Sequence, residues 1–207
     1  MNPLNNHKHS LILGIVLAVV IALVLAASLS SGIEFHQQSF ARWLHIVSGV
    51  FWIGLLYYFN AVQVPALAEA AADKGGPGGA GITKYVAGRA LFWFRWAALI
   101  TWIAGAWLLE KKFVPAFTFG LAGLPEGNGA DLSLVTIGIG AWLGTIMLIN
   151  VWGPIWQNQK KILGIKPATD EEKAKARKVA LYASRTNFVL SIPMLMCMAG
   201  TTHQLPF

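Results

Sequence analysis

Cysteine is nearly missing from this chain: Cys197 is the only one in 207 residues. That excludes an internal disulfide, a CxxCH attachment of covalent haem and a thiolate-rich metal cluster. Acidic residues are also scarce, nine Asp and Glu against 16 Lys and Arg, and they cluster between the apolar runs or at their edges. No carboxylate is placed within a span to relay protons, which argues against a carrier-type pump. HExxH, Walker and dinucleotide signatures are lacking as well. The stretch Lys74 to Gly81, KGGPGGAG, has no GK[ST] ending and reads as a flexible connection rather than a P-loop.

What the chain has instead is apolar length. Hydrophobic residues make up 56% and charged residues only 12%, where soluble domains carry about a quarter charged. Nine tryptophans agree with a bilayer, because indole rings favour its boundary with water. The net charge of +7 does not point to nucleic acid, since the basic residues flank apolar runs, where they orient a chain and meet anionic headgroups. Five runs have the length of a spanning helix, about 20 residues: 11–29, 40–64, 85–109, 132–152 and 180–199. The first exceeds the core of a signal peptide and is expected to be an uncleaved anchor. The fold predicted is an all-α transmembrane bundle of about five helices forming one domain, 1–207.

Loop charges set the orientation. The segment 157–179 holds Lys160, Lys161, Lys166, Lys173, Lys175, Arg177 and Lys178, whereas the turn from Gly32 to Gln38 has no Lys or Arg. Basic loops stay inside, so the N-terminus is expected in the cytoplasm and the C-terminus outside, with Lys111 and Lys112 as the exceptions. Thr169 and Glu172 have capping-box spacing and predict a short surface helix leading into the last span.

The polar residues of the spans are few and ordered. In the second span His45, Gly49, Trp52, Leu56, Asn60 and Gln63 share one stripe at about 100° per residue, so that stripe must face protein, water or a bound group. Topology sorts the remaining polar residues into two layers. His36, Arg42, His45 and His203 lie on the outer side; Asn60, Gln63, Arg89, Arg95, Asn150, Arg185 and Asn187 lie on the inner side. Haem b in a helical bundle takes imidazole ligands from neighbouring helices. The expected ligands are His45 and His203, with His36 as a rival and Arg42 as partner of a propionate. Alternatively, His45 bonds a backbone carbonyl and His203 is solvated. In the inner layer Arg95, with Asn60, Gln63, Asn150 and Asn187, forms a candidate pocket for a planar anion; the plainer account has Arg95 bonding Asn150 or Asn187 and the amides serving as interhelical glue. Gly140 and Gly144 have GxxxG spacing and predict close helix packing.

Four ordered patches carry a family resemblance: RWLHIVSGVFWIGLLYYFNAVQVPAL, FRWAALITWIAGAWLL, LGTIMLINVWGPIWQNQKKILG and ASRTNFVLSIPMLMCMAGTTH. Together they resemble the membrane domain of bacterial membrane-bound urate hydroxylases, the urate oxidase N-terminal family. His45, Arg95, Asn150, Trp152, Asn187 and His203 fall within them. The resemblance implies a bacterial inner-membrane oxidoreductase that passes electrons from a purine-like or other small substrate to a cytochrome c. With no CxxCH in this chain, the acceptor is expected to be a separate protein. The competing expectation is a non-catalytic accessory subunit of a larger membrane complex.

Overall fold

A backbone inside lipid must satisfy its own hydrogen bonds, and long apolar runs do so as helices. A computed structural model describes residues 2–28, 34–122 and 131–205, and no strand occurs among them. The helices are α1, His7–Ser28; α2, Gln37–Ala72; α3, Ile82–Phe117; α4, Leu132–Ile162; and α5, Asp170–His203. The end of the first run at Leu29 and the turn residues Gly32 and Ile33 lie outside the described residues. The expected all-α bundle is what forms.

Four helices, α1 to α4, are long and apolar enough to cross a membrane. The expected fifth span is helical but falls outside that set, because α5 opens on charged residues and carries Arg185 and Asn187 in its apolar half. The helix expected to lead into the last span starts as its capping box predicts, with Glu172 N–H on Thr169 Oγ1 and Thr169 N–H on the Glu172 carboxylate, and it runs on unbroken to His203 as one helix with the span. Nothing after Thr169 interrupts it, and even Pro193 is accommodated within the helix.

Residues Met1–Gln37 and Gln38–Phe207 form separate contact units. In the first, α1 is apolar on every side and its apolar stretch has no buried residue, the surface expected of a helix in lipid. In the second, α2 to α5 make an antiparallel four-helix ring. Ser133 bonds the Thr201 carbonyl, Gly140 abuts Cys197, Asn150 bonds Asn187 and Lys161 pairs with Glu172, so α4 and α5 run alongside each other from end to end. Trp102 donates to Thr145 Oγ1 at 2.8 Å and joins α3 to α4, while Ser191 Oγ lies 3.1 Å from Tyr57 OH and closes α5 onto α2. The core draws on all four helices through Trp52, Leu56, Phe94, Met147, Val151 and Met194. Gly140 packs as its spacing predicts, since a Cβ there would stand 3.1 Å from Cys197 Cβ; Gly144 is buried, but a Cβ there would meet nothing within 4 Å.

Three helices widen locally into π turns: Phe59–Gln63 in α2, Ile82–Ala87 in α3 and Val151–Ile155 in α4. Pro154 explains the last, because it has no N–H to give the preceding turn and its ring crowds that turn's carbonyl. The first and last of these turns carry Asn60, Gln63 and Trp152. Such turns are frequent at functional sites.

Candidate functional site

The stripe on α2 faces protein along its length. His45 reaches α3, where its Nδ1 lies 2.8 Å from the Thr101 carbonyl oxygen. A carbonyl only accepts, so Nδ1 carries the proton and Nε2 of the neutral ring keeps its lone pair. Nε2 makes no hydrogen bond to a described residue. The Thr101 hydroxyl is occupied elsewhere, donating to the Ala97 carbonyl at 2.7 Å. The ring fits against Gly105, where a Cβ would come within 2.9 Å of His45 Cε1. The space beside Gly49 is taken by Thr101 Cγ2, 3.7 Å from where a Gly49 Cβ would be.

The other outer residues are exposed. Arg42 is exposed on α2 and His203 is exposed at the end of α5. His36 is exposed in the segment before α2 and belongs to the other contact unit. No group of three His, Cys, Asp or Glu suited to a metal occurs among the described residues.

The inner layer is more tightly connected. Asn150 donates to Asn187 Oδ1 at 2.9 Å, and Asn187 donates to the Met147 carbonyl at 2.9 Å; Asn187 is fully buried. Asn60 donates to Ser184 Oγ at 3.0 Å and to the Leu56 carbonyl at 2.8 Å. These bonds join α4 to α5 and α2 to α5. Arg89 and Arg185 are exposed.

Arg95 stands apart from this network. It is 9% exposed, and its guanidinium makes no hydrogen bond to a described residue, so the anticipated bonds to Asn150 or Asn187 do not form. The ion pairs among the described residues are Lys161–Glu172 and Lys173–Asp170, neither of which involves it. Its contacts are aromatic: Cζ lies 3.3 Å from the centre of the Trp156 ring and 5.7 Å from that of Trp152. Gln63 Oε1, Asn60 Oδ1 and Trp152 Nε1 are also buried without a partner. Sequence reasoning missed Trp156, although it follows Trp152 by four residues, the interval that puts two side chains on one helix face. It also missed Thr101, Gly105 and Ser184, whose roles depend on which helix lies opposite.

Compared with family models, curated proteins and solved structures, the chain matches none of them.

Proposed function

We propose that this chain is a membrane-embedded redox protein that binds haem b through His45 and passes electrons from a small, purine-like substrate to a separate cytochrome c, as its resemblance to the urate hydroxylase membrane domain implies. The observation carrying this reading is the fixed tautomer of His45. An imidazole whose Nδ1–H is held by a backbone carbonyl presents Nε2 as a ligand, the arrangement usual for metal-binding histidines. Helix register supports His203 as the second ligand. Tyr57 meets Ser191, and His45 and His203 each lie about three turns further along their antiparallel helices toward the same end of the bundle. Arg42, exposed at that end, is the proposed partner of a propionate. Haem b, when bound, supplies a one-electron couple. The chain's own part is to hold the imidazole in one tautomer and to exclude water around it. The protein is taken to reside in a bacterial inner membrane with its N-terminus in the cytoplasm and its C-terminus in the periplasm, following the basic segment 157–179.

A reduced-minus-oxidised spectrum of the purified protein tests the proposal. The expected result is a b-type signature that His45→Ala abolishes, together with urate turnover when a cytochrome c is added. A colourless, fully folded preparation would sink it. One observation favours a second reading, that of a non-catalytic accessory subunit: Asn60, Asn150 and Asn187 are spent on interhelical bonds. In that case the same preparation would be colourless and would co-purify with other membrane subunits.

A further inference from the structure

Arg95 poses a problem of charge. A cation removed from water is normally matched by an acid, yet neither ion pair among the described residues includes it. A tryptophan face offsets only part of that loss. At 3.3 Å from Cζ to the Trp156 centroid, the guanidinium has no room to stand on edge, so it lies flat on the indole. This stacking covers one π face and leaves the in-plane N–H fork uncommitted. Nε is buried without a partner. The two amino nitrogens also lack hydrogen bonds to described residues, but they are not among the sealed atoms. A fork of this kind binds a carboxylate-like edge through two parallel bonds, which hold the anion coplanar with the guanidinium. Any such anion must therefore continue the plane that lies over Trp156.

Nearby groups extend the site. Trp152, half-buried, has an unpartnered Nε1–H and sits edge-on to Trp96 at 5.5 Å. We infer that Arg95, stacked on Trp156 and flanked by Trp152, is a binding site for a flat organic anion of the aromatic carboxylate class. Its orientation is set by the guanidinium fork and its plane by the indole. The inference rests on Arg95 and its neighbours and holds whether or not the protein carries haem.

Intrinsic tryptophan fluorescence and thermal unfolding of the full chain in phosphatidylcholine nanodiscs test it. Benzoate is the probe, benzamide the neutral control, cyclohexanecarboxylate the non-planar control and inorganic phosphate the tetrahedral one. The expected result is saturable quenching and a raised unfolding temperature with benzoate, at least tenfold weaker with each control. Arg95→Gln should abolish the response, and Trp156→Leu, which keeps the charge, should weaken it at least tenfold. No response of the wild-type protein to benzoate overturns the proposal, as does equal binding by a folded Arg95→Gln variant. Equal binding of cyclohexanecarboxylate or phosphate overturns the planar anion. Nanodiscs containing phosphatidylglycerol serve as a further arm; if they eliminate the benzoate response, the occupant is a lipid headgroup and the planar-anion site is rejected. The redox reading is judged separately by the haem spectrum, which Arg95→Gln should leave unchanged.

Discussion

At the scale of single residues, the chain places its reactive groups by close contact rather than by charge. His45 depends on two neighbours that carry no chemistry of their own: the Thr101 carbonyl, which fixes the proton on Nδ1, and Gly105, which makes room for the ring. Gly105→Ala would put a methyl group 2.9 Å from His45 Cε1, so either the ring or α3 must move. We expect a loss of about 1–3 kcal/mol in unfolding stability, the usual cost of overpacking, and a broadened or lost haem signature if haem is bound. Thr101→Val keeps the carbonyl and should leave that signature in place, as visible spectra of the two variants will show. The sequence marks His45 as a polar residue on an apolar face. It gives no sign of Thr101 or Gly105, because one chain without partners for comparison does not say which turn of α3 stands opposite.

At the scale of the helices, stability depends on how polar groups are shared along the seam between α4 and α5. Asn187→Leu strands the Asn150 amide in the bundle, at a cost of about 1–3 kcal/mol for the unpaired group. The double variant Asn150→Leu/Asn187→Leu should recover most of that loss. A thermodynamic cycle measured by equilibrium unfolding in detergent will show the coupling, and additive effects would contradict the bond. The apolar run predicted for the third span ends at Leu109, which is where α3 breaks its regular course and Glu110 takes φ 44. The other boundaries were legible only as minimum lengths: α2 continues eight residues past Val64, to Ala72, and α4 ten past Trp152, to Ile162. Hydropathy locates the lipid-facing part of a helix and is silent about a polar extension beyond it. The same helix α5 shows the converse. Its amide counts against it in composition, yet Asn187 is fully buried and bonded to α4.

Across the whole molecule, the antiparallel ring keeps His45 and His203 toward one end and Arg95, Asn60, Asn150 and Asn187 toward the other, the two-layer division that span order alone predicts. Which end faces the cytoplasm is a matter of loop charge. Cys197 is buried, so an introduced cysteine reports by itself. In intact cells a membrane-impermeant maleimide should label Lys111→Cys and spare Lys166→Cys until the membrane is opened; the opposite pattern would invert the topology.

The π turn at Phe59–Gln63 makes helix length itself a variable. It accommodates one residue more than a regular turn, so removing Ala61, which is exposed, would let α2 close into an ordinary helix and leave the residues beyond it facing nearly as they do now. Gln63 would keep its inward face, and composition, hydropathy and helix count would hardly change. A one-residue deletion of this kind would remove the widened turn at the inner end of the bundle while leaving both helix register and membrane character intact, a route to divergence that substitution profiles alone would overlook.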